Sequence, residues 1–255
     1  MRRHSVHQTK RLFSEFPNPM CSAPRLVRVE HVEEGLRSLS RSTPELAKAI
    51  ALLSSSQIEA MSARPAHTAF TSLIKSICSQ QLSTKAARTI FTRIQQLVPA
   101  PAPTLTTAAI PTATIVSTVA NVCPHALHAV PEEELRQAGL STAKVRSVKD
   151  LAFRFVEGTL SETLLANAED IEELQHLLLC VRGIGPWTVQ MFAIFFLRLP
   201  DVAVTGDLGV QKGYAKIRRM TKPTKLAMES VTMRWKPYRS LGAMVCWKAL
   251  DMRDL

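Results

Sequence analysis

Asp170-Ile171-Glu172-Glu173-Leu174-Gln175-His176-Leu177-Leu178-Leu179-Cys180-Val181-Arg182-Gly183-Ile184-Gly185-Pro186-Trp187-Thr188-Val189-Gln190-Met191-Phe192 is the stretch on which the reading of this chain turns. Asp170 and Glu173 have the spacing of a capping box, in which each side chain satisfies a backbone N–H left open at a helix start. Leu174, Leu177, Leu178 and Val181 follow at helical spacing, so a short amphipathic helix is expected. Gly183 and Gly185 then permit backbone conformations that other residues avoid. Ile184 between them is placed to plug a turn between two helices. Pro186 suits the first position of a new helix, where its missing N–H would have had no partner anyway. Phe192, Phe195 and Phe196 carry that helix forward.

A helix, a Gly-hydrophobe-Gly turn and a second helix resemble the helix-hairpin-helix motif. Such a hairpin presents successive backbone N–H groups beside a helix N-terminus, an anion site suited to a DNA phosphate. On that resemblance Arg182, Gly183, Ile184, Gly185 and Thr188 are candidate DNA-contacting residues. An ordinary tight turn between two helices also carries Gly-x-Gly, so the hairpin by itself leaves both readings open.

Working toward the N-terminus, Val145, Val148, Leu151, Phe155 and Val156 mark a helix that Ser141 is placed to cap. Gly139 is placed to stop the preceding helix, which begins at Pro131-Glu132-Glu133-Glu134-Leu135. Residues from Pro99 to about Pro124 are rich in proline, threonine and alanine without a period, and are expected to be a surface insertion. From about Val32 to Val98 the pattern is helical. Thr43-Pro44-Glu45 reads as N-cap, first-turn proline and first-turn acid, ahead of Leu46, Ile50 and Leu53. A stronger pattern runs from Ala69 to Leu97, interrupted by Ser79-Gln80-Gln81-Leu82-Ser83, with Ser83 as the N-cap of its second half. No alternating strand pattern and no internal repeat stands out, so the expected fold class is all-α.

Composition agrees with a nucleic-acid partner. The 255 residues carry 32 Lys and Arg against 21 Asp and Glu, a net charge of +11, which favours a polyanion. Hydrophobic residues at 46% exclude a wholly disordered chain, and 9 glycines argue against a glycine-rich phosphate cradle. No apolar run approaches the roughly 20 residues that span a bilayer, so no membrane is expected. Cys21, Cys78, Cys123, Cys180 and Cys246 form no CxxC pair, which gives neither a metal site nor a disulfide framework and fits a reducing compartment. Residues 1–30 differ from the rest: Arg2, Arg3, Lys10, Arg11, Arg25 and Arg28 face only Glu15 and Glu30. They are expected to be a mobile basic arm, either a mitochondrial transit peptide or a nuclear or DNA-contacting tail. The nucleus, the mitochondrion and a prokaryotic cytoplasm all stay open as locations. Residues 31–255 are expected to form the single folded domain.

Downstream of the hairpin, Asp201-Val202-Ala203-Val204-Thr205-Gly206-Asp207-Leu208 puts Asp207 22 positions beyond Gly185. With this aspartate the chain resembles the helix-hairpin-helix superfamily of DNA glycosylases. Three further blocks carry the likeness: Gln80-Gln81-Leu82-Ser83-Thr84-Lys85-Ala86-Ala87, Leu135-Arg136-Gln137-Ala138-Gly139-Leu140-Ser141 with Lys144, and Arg234-Trp235-Lys236-Pro237-Tyr238-Arg239 with Trp247. The last points to the alkylated-base branch, similar to 3-methyladenine DNA glycosylase II. The resemblance spans roughly Val32 to Trp247. The chain lacks room for the extra N-terminal β subdomain of the bacterial enzyme, and its 99–124 stretch is longer than the usual connection.

The resemblance implies two helical subdomains with a DNA and base-binding cleft between them. It implies that Asp207 stabilises an oxocarbenium-like transition state while an alkylated purine leaves from duplex DNA, beginning base excision repair. Capping of the helix that starts at Leu208 is the plainer role for Asp207. The resemblance makes Trp187, Met191, Leu208 and Trp247 base-pocket residues, Gln81 the wedge that fills the flipped nucleotide's gap, and Gln80 and Ser83 its flanks. Trp187 stands where lyase members carry a Schiff-base lysine, so hydrolysis without strand cleavage is implied. Beyond Asp207 only Cys246 remains, short of the four cysteines an iron–sulfur cluster needs. No cofactor is therefore expected, and a backbone-bound monovalent cation at the hairpin is the one ion compatible with the motif. Lys212, at the head of a basic run through Lys225, is a further phosphate contact, and a monomer is expected. A non-catalytic helix-hairpin-helix DNA-binding protein is the competing reading.

Overall fold

The computed structural model describes residues 24–98, 121–253 and 255. Within them the chain forms fourteen α-helices and no strand, in two lobes. One lobe joins the two ends of the chain: α1 (Val29–Ser42), α2 (Pro44–Ala51) and α3 (Ser55–Ser62) pack with α12 (Leu208–Arg218), α13 (Lys225–Met233) and α14 (Arg239–Asp251). The other is continuous in sequence: α4 (Ala69–Ser79), α5 (Thr84–Leu97), α6 (Pro124–Ala129), α7 (Glu132–Gln137), α8 (Thr142–Val156), α9 (Glu162–Ala166), α10 (Ile171–Leu178) and α11 (Pro186–Phe195). No helix among the described residues is long and apolar enough to cross a membrane.

Each lobe is built around one helix apolar on most sides. In α14 every residue from Ser240 to Cys246 is buried, and in α4 all but Lys75, Ser76 and Ser79 are. A helix buried all round needs its first amides satisfied from elsewhere. At α4 Thr68 accepts from the Thr71 amide, and the Glu162 carboxylate of α9 accepts from the amides of Ala69 (2.6 Å) and Phe70 (3.0 Å). At α14, Gly213 of α12 permits a backbone-to-backbone approach. A Cβ there would lie 1.9 Å from the Cys246 carbonyl oxygen.

The expected helix signals operate with some changes of partner. Ser83 and Ser141 cap α5 and α8, and Gly139 ends α7 at φ +110°. Asp170 accepts from the Glu173 amide, but the Glu173 carboxylate accepts from the Glu169 amide, so the box reaches one residue further back than its spacing suggests. Thr43 makes no side-chain cap bond at α2. Residues 1–23 and 99–120 of the expected arm and insertion lie outside the described residues. Their inner ends are structured. Leu26 is fully buried and its amide donates to the Arg198 carbonyl, while Arg25 donates to the carbonyls of Ala166 and Ala168. Asn121 accepts from the Thr68 amide and buried Val122 donates to Thr71 Oγ1, and α6 begins at Pro124, before helix was expected to resume.

Gly213→Ala is expected to destabilise the protein by about 1–3 kcal/mol, because the clash is with backbone that no rotamer change relieves. A melting temperature equal to that of the parent protein would contradict the close packing of α12 on α14. Burial pushes the Cys78 thiol up to about 12 and raises that of Cys246 further, whereas Cys180 is exposed. Under native conditions at neutral pH, iodoacetamide should therefore label Cys180 and spare Cys78 and Cys246, as read by peptide mapping.

Candidate active site and DNA-contacting hairpin

The segment between α11 and α12 crosses from one lobe to the other without regular secondary structure, and side chains on both flanks hold it. Ser240 Oγ donates to the Leu199 carbonyl and accepts from the Val202 amide. Arg239 grips Asp201 through two parallel bonds, at 2.6 and 2.9 Å. Gln190 of α11 donates to the Ala203 carbonyl and Gln211 of α12 to that of Thr205. The chain then turns, with the Asp207 amide donating to the Val204 carbonyl, and delivers Asp207 to the first position ahead of α12.

Asp207 accepts three N–H bonds. Oδ1 takes the Val210 amide at 2.9 Å and the Trp247 indole at 2.8 Å; Oδ2 takes the Trp187 indole at 2.8 Å. Capping is therefore part of what Asp207 does, and the two indoles, one from each lobe, hold the carboxylate at the junction. A carboxylate has about four acceptor positions, so Oδ2 keeps one for another group.

Of the four residues expected around a base, Trp187 and Trp247 meet at the Asp207 carboxylate. Trp187 is 44% exposed beside Oδ2. Trp247 stacks on Phe195 with ring centroids 5.4 Å apart and borders a cavity of about 340 Å³. Met191 borders a second cavity of about 280 Å³ between α4 and α11. Leu208 is 52% exposed on the outer face of α12 and borders neither. Phe195, absent from the sequence-based set, lines both cavities. Its signal was the helical period: Trp187, Met191 and Phe195 stand four apart and share one face of α11.

In the hairpin, Gly183 has φ +76°, and a Cβ there would lie 2.1 Å from Ser147 Oγ. Gly185 has φ −107°, and a Cβ there would meet nothing within 4 Å. The first glycine is thus required by the fold, while the second faces open space at an uncapped helix start. Arg182 is exposed, its amide donating to Asp150 Oδ2. Ile184 is buried and plugs the turn as expected. The Thr188 side chain is only 2% exposed, and its hydroxyl accepts from the Gln80 amide group.

The junction between α4 and α5 is joined to the hairpin. Gln80 Nε2 donates to the Gly183 carbonyl at 2.9 Å, and Lys144 Nζ donates to the carbonyls of Cys78 and Gln80. Gln80 thus acts as a strut, and Ser83 spends its hydroxyl on the α5 cap. Gln81 alone of this group projects freely, at a left-handed φ of 56° and exposed. Lys212 is exposed one turn beyond Leu208, whereas Lys216 of the same basic run turns back onto the carbonyls of Leu250 and Met252 that close α14. Among the described residues no group of three His, Cys, Asp or Glu side chains is arranged to hold a metal ion.

A hairpin at the head of one helix and an aspartate at the junction of two helical lobes define a base-excision architecture. The chain matches the model of the HhH-GPD superfamily of base excision DNA repair proteins over residues 74–237, and it belongs to that superfamily. It is 31% identical over 183 residues to DNA-3-methyladenine glycosylase 1 of Schizosaccharomyces pombe, covering 71% of this chain and 72% of that protein. Its structure is similar to that of the S. pombe 3-methyladenine DNA glycosylase in complex with abasic DNA, with a TM-score of 0.67 and 26% identity over 88% of this chain and 98% of the other. A DNA-3-methyladenine glycosidase from Bacillus halodurans is also similar, with a TM-score of 0.65 and 27% identity over 84% of this chain and 88% of the other.

The two glycines should respond differently to alanine. Gly183→Ala forces a side chain into a left-handed backbone and against Ser147, and should cost about 1–3 kcal/mol. Gly185→Ala should cost less than about 1 kcal/mol. Chemical denaturation of both variants checks the order, and a reversed order would show that the hairpin is held in some other way.

Proposed function

We propose that the protein is a DNA glycosylase that hydrolyses the N-glycosidic bond of alkylated purines in duplex DNA and so begins base excision repair. The observation that carries this reading is the Asp207 carboxylate, oriented by an indole from each lobe, with an acceptor position left on Oδ2. The names of the relatives, which are 3-methyladenine glycosylases, support the same reading.

The chemistry follows from the substrate. A base inside a duplex is out of reach, so the nucleotide must first leave the stack. Gln81, exposed at the apex of a loop braced by Gln80 and Lys144, is the side chain suited to fill the gap. The hairpin amides and the open start of α11 receive a neighbouring phosphate. An alkylated purine carries positive charge and a weakened glycosidic bond, so its departure needs little acid catalysis. What develops is positive charge on the sugar, and a preoriented carboxylate stabilises it and orients the attacking water. Trp187 occupies the position at which a lysine would form a Schiff base, so we propose hydrolysis without strand cleavage, by a monomer.

Asp207→Asn keeps the side chain's size and an acceptor for the α12 amide, and should lower base release from methylated duplex by at least ~100-fold while DNA affinity is retained. Wild-type turnover by this variant in single-turnover assays would exclude Asp207 as the catalytic carboxylate. Gly185→Val should weaken binding to damaged and undamaged duplexes alike, since phosphate contacts carry no base information. A loss confined to damaged DNA would contradict the hairpin's role. Borohydride added during turnover should trap no covalent complex, and the strand should stay intact until alkali is added.

A further inference from the structure

Gly209 and Gly213 stand four apart on α12 and share the face that meets α14, yet the fold requires each for a different reason. At Gly213 an added Cβ would strike the backbone of Cys246. At Gly209 it would lie 2.8 Å from Trp247 Cδ1, 2.9 Å from Trp247 Nε1 and 3.1 Å from Asp207 Oδ1. All three are well inside the separation at which such atoms attract. The backbone at Gly209 is helical and its φ is not positive, so the conformation is open to any residue. Glycine inside a helix is also less favourable than alanine, because it loses more freedom on folding. What requires glycine here is therefore the space it leaves, against which both partners of the Trp247–Asp207 hydrogen bond lie.

That bond sets how the carboxylate is held. Oδ1 of Asp207 takes two N–H groups, from Val210 and from Trp247, whereas Oδ2 takes one, from Trp187. The Val210 amide lies three residues along the same chain, so by itself it ties the carboxylate only to its own helix. The Trp247 indole ties it to α14, a helix buried from Ser240 to Cys246. Trp247 is in turn held by its stack on Phe195, with 5.4 Å between ring centroids. A methyl group at position 209 thus has no easy accommodation. Either the indole draws its N–H edge back from Oδ1, or the carboxylate turns away from it.

We propose that Gly209 is a positioning residue for the reaction: it leaves open the space through which the Trp247 N–H reaches Asp207, and so fixes the direction in which the carboxylate faces the sugar. This rests on the glycosylase reading above and adds to it the residue that admits the indole. Gly209 acts through Trp247 and Asp207, with no contact of its own to DNA or base. A carboxylate stabilises developing charge only where it is preoriented, and a misplacement of about 1 Å can cost roughly 100-fold in rate.

The test is a double-mutant cycle on single-turnover release of 3-methyladenine from methylated duplex, by wild type, Gly209→Ala, Trp247→Phe and the double variant. Phenylalanine keeps a ring at position 247 and removes the N–H. Gly209→Ala should lower the saturating rate roughly 10- to 100-fold, with the concentration for half-saturation unchanged. In the Trp247→Phe background no N–H is left to displace, and the same substitution should cost at least about 5-fold less. The Trp247 indole N–H resonance, identified by its loss in Trp247→Phe, should exchange with water faster in Gly209→Ala. A wild-type rate for Gly209→Ala, an equal loss in both backgrounds or unchanged indole exchange overturns the proposal and leaves the glycosylase reading standing. A wild type that releases no base overturns both. Should Gly209→Ala not fold, the double variant decides: if it folds, the conflict lies with the indole as proposed, and if it does not, the assignment is refuted.

Discussion

The Asp207 carboxylate accepts an N–H from the first turn of α12, one from Trp247 of α14 and one from Trp187 of α11. Hydrogen bonds to a charged acceptor are among the stronger ones in a protein, about 1.5–3 kcal/mol each. Because α11 belongs to one lobe and α12 and α14 to the other, the contacts that orient the carboxylate also join the lobes at the site. The stitched segment from Leu199 to Gly206 serves the same end. Four side chains from three helices hold a stretch without regular secondary structure, so that the Asp207 beyond it arrives in one orientation.

Helix α11 organises the rest. Its first turn is the open end of the hairpin, its middle carries the Trp187, Met191 and Phe195 stripe, and Arg198 lies just past its end. The proposed phosphate contact and the cavity wall thus sit on one rigid element, with spacings set by the helical rise. Gln80 extends that rigidity to the opposite loop by bonding the Gly183 carbonyl and the Thr188 hydroxyl. Gln81, proposed as the wedge, and the hairpin proposed to bind phosphate are therefore held at a set separation, which a process that pulls on one nucleotide while gripping its neighbour requires.

Much of this was legible in the sequence, and for local reasons. Serine caps at 83 and 141, the stop at Gly139, the break between α4 and α5, the plug at Ile184 and the cap at Asp207 all follow from chemistry acting within a few residues. Side-chain partners at long range were not legible. Thr188, Gln80 and Ser83 are polar residues in the right places for DNA, yet the fold uses each internally. Lys216 of the basic run likewise bonds the carbonyls that close a helix.

By itself the sequence determined an all-helical chain, a Gly-Ile-Gly hairpin, an aspartate at a set distance beyond it and a positive surface, because periodicity, capping and charge are properties of neighbouring residues. Only the tertiary structure decided that both indoles point their N–H groups at one carboxylate, and that Phe195 rather than Leu208 lines the cavities. It also decided that Arg198 is buried with a donor to spare. Those facts depend on which faces of α3, α11 and α14 meet. Side chains from positions as far apart as Met61 and Trp247 become neighbours only when the two ends of the chain close into one lobe.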